Sequence, residues 1–465
     1  MSTLLIRHAD MLLTMDSEPR RIPDGAIFVR DNVIEGIGPS EELPVTADKV
    51  IEARGKVVLP GLINTHHHLF QTLTRAVPGA QNANLFDWLN VLFPIWTGLT
   101  KEAIYISALV GMAELVLSGC TTASDHLYMY PNGARIDDEI RAAQEIGLRF
   151  HASRGSLNLG QSQGGLPPDE ITEDIDDILR DMQRVIEKYH EPEYYGLIRV
   201  DVAPCSPFSV TPDLMREAAK LGRSYGVQLH THLAETLDEQ EYCLERFGCR
   251  PLDYAAELGW VGDDVWYAHA VHINPSEIKL MAQTGTGVCH CPSSNMRLAS
   301  GIAPIHDYRE QGVRVGLGVD GSASSDSSHM LAEARQALLL GRISPGRPHG
   351  AGNPAGLTAD DVLEMATVGG ARVLGRDDIG SLEPGKAADF IAFDLNQLGF
   401  AGALHDPVAA LVFCTPLRVD LSVINGQVVV QDGRLTMVEI EPVVERHNQI
   451  ARTLMNGSGN GNFRG

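Results

Sequence analysis

A parallel (β/α)8 barrel joined to a small β-sandwich-like domain built from both chain termini is the fold the sequence predicts. Three observations predict it. The middle of the chain alternates short apolar, β-rich runs with longer stretches whose apolar residues recur every three to four positions. Both ends instead read as short strands broken by Asp, Gly and Asn. The 465 residues leave room for one large domain beside a smaller one.

Taken in order, residues 1–59 supply the runs LLIRHADMLLTM, GAIFVRDNVIEGIG and DKVIEARGKVVLP. Strand-like runs follow at 57–66, 119–126, 148–153, 198–204, 227–232, 265–270, 287–291 and 313–320. Helical patterns separate them, among them 102–119, 137–147, 177–190 and 212–226. Eight strands alternating with helices favour a closed barrel over a doubly wound open sheet. Residues 375–440 return to β character, and Asn425-Gly426 between two apolar runs signals a hairpin. The expected division is therefore 1–59 plus 375–440 as the β domain and 60–374 as the barrel. A C-terminal helix and flexible tail are expected over 441–465, the last ten residues reading NGSGNGNFRG.

Composition narrows the function. With 44% hydrophobic and 21% charged residues the chain is globular, not disordered. A formal charge of −23 repels phosphate backbones, so a nucleic acid polymer is excluded as partner and a small, weakly charged substrate is expected. No apolar run reaches the roughly 18–20 residues that span a bilayer, so no membrane association is expected. The N-terminus lacks a signal-peptide core. Seven irregularly spaced cysteines argue against a disulfide framework, and a cytoplasmic location is expected.

The histidines carry the chemistry. Four strand readings end in groups that bind metals or move protons: His66 and His68, His232 with Glu235, His269, and Asp320. In such a barrel the C-terminal strand ends meet at one mouth. His66 and His68, two apart on an extended segment, leave the same face, while His67 points away. His230 and His232 repeat that spacing, although only one need be a ligand. Asp320 closes the apolar run VRVGLGVD, where a carboxylate is either a ligand or a costly buried charge. Imidazole and carboxylate without thiolate suit Zn²⁺ best, with Fe²⁺ or another divalent ion as alternatives. The fourth strand reading, IRVDVAPCS, has no lysine to bridge a metal pair, so one ion per chain is expected.

Three patterns are set aside. Gly316, Gly318 and Gly321 form GxGxxG, but no acidic residue follows about 20 positions on, as a dinucleotide site requires. Gly160-Gln-Ser-Gln-Gly164 matches a nucleophile elbow in sequence only, lying in a Gly- and Pro-rich loop better suited to a lid. Cys289-His-Cys291 is not the PCxxC of cytidine-type deaminases.

The segments PGLINTHHHLFQTLTR (60–75), LHTHLAET (229–236), YAHAVHI (267–273), CHCPSSNMRLASGIAP (289–304), GLGVDGSASSD (316–326) and IGSLEPGKAADFIAFD (379–394) resemble, in order, the amidohydrolase superfamily in its mononuclear-metal aminohydrolase branch. The resemblance implies His66, His68, His232 and Asp320 as metal ligands, Glu235 as proton shuttle and His269 as the histidine that orients the attacking water. PCSPFSV (204–210), RGSLNLGQSQGGLPPD (154–169) and HHHLFQ (66–71) resemble the subgroup of 8-oxoguanine deaminases and hydroxyatrazine-type triazine hydrolases. Guanine deaminases carry an arginine where Cys205 stands. The expected reaction is hydrolytic deamination of an oxidised purine, with triazine hydrolysis or guanine deamination as alternatives and a noncatalytic metal-binding relative as a remote one. The resemblance also implies a homodimer. A planar heterocycle needs a flat, partly aromatic slot with few polar contacts. Gln71, Trp88, Ser153, Arg154 and Cys205 are the substrate-contact candidates.

Overall fold

The computed structural model describes residues 2–343, 352–414 and 417–457; the tail expected beyond 457 lies outside them. Eight parallel strands close into a barrel: β1 (Leu62–Asn64), β2 (Cys120–Leu127), β3 (Arg149–Ser156), β4 (Ile198–Pro204), β5 (Leu229–Leu233), β6 (Val265–His269), β7 (Gly287–His290) and β8 (Val315–Leu317). Each pairs with its neighbours in sequence, and β8 closes on β1 through Leu317 and Asn64, which rules out the open sheet.

The intervening helices form where the periodicity predicts. Ile175–Tyr189 buries Ile178, Met182, Val185 and Ile186 along one stripe and is capped by the Asp174 carboxylate. Pro212–Tyr225 starts with Thr211 as cap and Pro212 in its first turn, and Gly226 ends it at φ 68°. Lys101–Leu117 is apolar on nearly all sides because the C-terminal helix Ile440–Gly457 packs over it. Among the described residues no helix is long and apolar enough to cross a membrane.

The two ends of the chain build a separate β domain. Its four-stranded sheet runs Val33–Pro39, Gly25–Arg30, Thr3–Ala9, Lys49–Glu52. Its seven-stranded sheet joins both termini, with Lys56–Pro60 antiparallel to Phe390–Asp394. Ile6, Ile27, Val29, Val58, Phe390 and Val423 share the core of this domain. Asn425 and Gly426, at φ 50° and 77°, make the tight turn between Leu421–Ile424 and Gln427–Gln431.

Two strand readings need correction. The run 57–66 is two strands, not one: Lys56–Pro60 belongs to the terminal sheet and only Leu62–Asn64 to the barrel. Gly61 makes the break, since a Cβ there would lie 1.9 Å from Thr121 Oγ1. The run 313–320 pairs only over Val315–Leu317, so Asp320 stands on the turn beyond β8. Gly316 and Gly318 have a packing reason: their Cβ atoms would meet Thr65 Cγ2 at 2.8 Å and Cys289 Sγ at 2.3 Å.

Candidate active site

At the mouth, the strand ends turn their polar residues inward by leaving extended geometry. Ala234, His269 and Asp320 have φ of 54°, 70° and 60°, left-handed values that non-glycine residues adopt where the surroundings hold them. His66 Nε2 and His68 Nε2 come within 3.4 and 3.5 Å of Asp320 Oδ1. His68 Nε2 is 3.1 Å from His232 Nε2. All four residues are buried.

The hydrogen bonds behind these rings test whether an ion fits. His68 Nδ1 donates to the main-chain oxygen of His126 at 2.7 Å, and His232 Nδ1 to that of Cys205 at 2.7 Å. Carbonyls only accept, so both Nε2 atoms carry lone pairs, and these face each other. His66 Nε2 is buried with no hydrogen-bond partner. Converging lone pairs beside a carboxylate repel unless a cation lies among them, and the nitrogen–oxygen donor set suits zinc. Burial pushes all three imidazoles below the ordinary histidine pKa, keeping them neutral as ligation requires. Burial would raise the Asp320 carboxyl, but the neighbouring imidazoles outweigh it and hold it well below the carboxylate range.

A second acid faces this cluster. Glu235 Oε2 is 3.5 Å from His269 Nε2, and its Oε1 accepts from Ser300 Oγ at 3.3 Å. Burial raises its pKa, favouring the neutral acid. Burial alone would lower His269, yet the carboxylates of Glu235 and Asp320 hold it above the ordinary value. Its Nδ1 meets Asn295 Oδ1 at 2.9 Å, which aims Nε2 at the two acids. Asp320 divides its oxygens: Oδ1 faces the imidazoles, while Oδ2 lies 3.8 Å from His269 Nε2 and accepts from Ser324 Oγ at 3.3 Å. One pocket opens over these groups, walled by Trp88, Leu89, Phe93, Tyr128 and Phe208.

Residues 57–429 match the amidohydrolase family. The chain belongs to that family. It is 45% identical to an 8-oxoguanine deaminase of Pseudomonas aeruginosa over 436 residues, covering 93% of this chain and 95% of the relative. It is 40% identical over 452 residues to the hydroxydechloroatrazine ethylaminohydrolase of Pseudomonas sp. strain ADP, covering 93% and 92%. The crystal structure of an atrazine chlorohydrolase from Arthrobacter aurescens TC1 complexed with zinc superposes with a TM-score of 0.91 at 33% identity, covering 96% of this chain and 100% of the other. This amidohydrolase is accordingly a hydrolytic enzyme of the deaminase and aminohydrolase kind.

Of the expected substrate contacts, the amidohydrolase pocket receives Gln71, Trp88 and Cys205. Trp88 is held by its Nε1 donating to Ala323 O at 3.2 Å, whereas Trp96 is a core residue behind it. Burial pushes the Cys205 thiol up to about 12, so it lines the wall as a neutral group. Ser153 and Arg154 do not reach the pocket, which corrects that expectation. Ser153 points into the barrel below the mouth, bonding Ser124 and Asp201. Arg154, next on the strand, points outward to Glu173 and Asp181. Ser162 donates to Asp169 Oδ1 at 3.0 Å in a loop of short 3-10 turns, far from nucleophile geometry. His67 points away, with Nε2 at 2.9 Å from Ser328 Oγ.

Sequence reasoning missed His126, Tyr128, Asn295, Ser300 and Ser324. His126 had a signal, since it stands near the end of its strand run as His66 and Asp320 do. Ser300 and Ser324 sit on irregular segments after β7 and β8, and Asn295 on the six-residue helix Pro292–Arg297, too short for periodicity to carry information.

Proposed function

We propose that the protein hydrolyses 8-oxoguanine to urate and ammonia, using one zinc ion held by His66, His68, His232 and Asp320. The observation that carries the reading is the opposition, inside one pocket, of a buried acid whose pKa is raised by burial, Glu235, and a cluster of converging imidazole lone pairs. The 45% identity to an 8-oxoguanine deaminase supports the choice of purine. An acidic chain acting on an uncharged base is consistent with its charge of −23.

When bound, the ion supplies Lewis acidity that brings the pKa of water from 15.7 towards about 7. The chain does the rest. Asp320 Oδ2 takes the proton from the attacking water, and His269 Nε2, fixed by Asn295, orients that water against the ring carbon bearing the exocyclic amine. Glu235 delivers its proton to the adjacent ring nitrogen as the carbon becomes tetrahedral. The proton held on Asp320 passes to the exocyclic nitrogen, the carbon–nitrogen bond breaks and ammonia leaves, while the new hydroxyl gives its proton back to Glu235 as the ring carbonyl forms. One water is consumed and one ammonia released. The aromatic wall sandwiches the ring and excludes bulk water, while Gln71 offers both a donor and an acceptor to a purine edge. The working form in this reading is a cytoplasmic homodimer.

The deciding assay compares products from zinc-loaded enzyme. Equal amounts of urate and ammonia should form from 8-oxoguanine. Ethylamine release from hydroxyatrazine, with no ammonia from 8-oxoguanine or guanine, would overturn the purine assignment and leave the triazine reading.

A further inference from the structure

His66 differs from its two neighbouring ligand candidates. The Nδ1 atoms of His68 and His232 face carbonyl oxygens, which can only accept. Nδ1 of His66 faces another imidazole nitrogen, His230 Nε2, at 2.8 Å. An imidazole can donate or accept, so this contact alone leaves the His66 proton unassigned.

The assignment is made one residue deeper. His230 Nδ1 lies 3.1 Å from the main-chain oxygen of Trp266, an acceptor only, so His230 carries its proton on Nδ1 and a lone pair on Nε2. His66 must then donate from Nδ1, which leaves its Nε2 lone pair facing Asp320 and His68. The opposite tautomer would set two lone pairs 2.8 Å apart between two fully buried rings. The His230 ring is also fixed in orientation: it stacks on the Trp266 indole with centroids 4.4 Å apart and planes 14° from parallel. Trp266 Nε1 in turn donates to Thr65 O at 3.1 Å, the residue preceding His66. Thr65, His66, His230 and Trp266 thus form a closed loop of contacts beneath the mouth.

We propose that His230 is a positioning residue for metal binding, which sets the tautomer and ring angle of His66 through a two-imidazole relay anchored on the Trp266 carbonyl. The proposal rests on the reading of His66 as a ligand. It assigns to the first histidine of His230-Thr-His232 a role distinct from ligation.

Two substitutions separate the relay from packing. His230→Phe keeps a flat stacking ring without an acceptor; His230→Gln keeps an acceptor where Nε2 stood. Zinc affinity, measured by competition with a chromogenic chelator, should fall roughly 10- to 100-fold in His230→Phe and stay close to wild type in His230→Gln. The visible spectrum of the cobalt-loaded protein should change only in the former. Wild-type affinity in a folded His230→Phe protein overturns the proposal, as does equal weakening in both variants. Nuclear magnetic resonance of ¹⁵N-histidine-labelled wild-type protein tests the relay without substitution: scalar coupling across the hydrogen bond from His66 Nδ1 to His230 Nε2 is expected, and a His66 proton on Nε2 overturns it. A wild-type protein that binds no zinc, yet shows this coupling, would refute the metal reading while leaving the relay's hydrogen bond intact.

Discussion

Glu235 and Asp320 are buried carboxyls on either side of His269, and their surroundings drive them apart. Glu235 has few donors and is raised by burial; Asp320 is held well down by imidazoles. The difference suits the first to give a proton and the second to take one. Glu235→Gln should therefore retain metal while kcat falls at least ~10²-fold, the lower range for loss of general acid–base help. Metal analysis beside steady-state kinetics checks this, and near-normal turnover would contradict the role.

Elements hold these groups through their ends. Glu333, on the helix Met330–Ile343, accepts from Ser293 N at 2.8 Å and Ser293 Oγ at 2.6 Å. It thereby satisfies the start of the short helix Pro292–Arg297, which carries Asn295 to His269. Burial raises the Glu333 carboxyl from 4.5 to about 8. Because the folded value lies above the unfolded one, its stabilising contribution is complete below 4.5 and lost as pH rises through about 8. Glu333→Gln, whose amide can still meet the reorientable Ser293 hydroxyl, should flatten the decline of the unfolding midpoint across that interval. Thermal melts at stepped pH provide the measurement; an unchanged slope would show that Glu333 does not titrate there. Gly61, between the terminal sheet and β1, belongs to the same scale. Gly61→Ala drives a methyl into Thr121 and should cost ~1–3 kcal/mol by overpacking, read as a lowered denaturant midpoint.

The two domains are pinned together by Arg149 at the start of β3. Its guanidinium, fully buried, donates to both oxygens of Asp389, at 2.8 and 3.1 Å, and to the carbonyls of Tyr195 and Gly196. Arg149→Met leaves Asp389 buried and uncompensated, and should cost ~3–5 kcal/mol in chemical denaturation. If the ion joins residues from the segment after β1, from β5 and from the turn after β8, its removal should loosen the whole barrel. Chelation is expected to lower the thermal midpoint and abolish activity, and one equivalent of zinc should restore both. Restoration that requires two equivalents would contradict a single ion.

Much of this was legible in the chain. The helices came from apolar spacing, the strands from β-branched runs between glycines, and His66, His68, His232, Glu235, His269 and Asp320 from their places at strand ends. Local sequence determines these because backbone geometry fixes which face a residue leaves. Which positions require glycine is another matter. The need for glycine at 61, 316 and 318 is set by Thr121, Thr65 and Cys289, which come close only after the barrel closes. Alternation places Arg154 outside the barrel and Ser153 inside it, below the mouth, because only the depth of β3 decides what reaches the pocket. Tautomers likewise belong to the tertiary structure. Which nitrogen of His66 holds a proton is decided by His230 and Trp266, two strands supplied from the far side of the barrel.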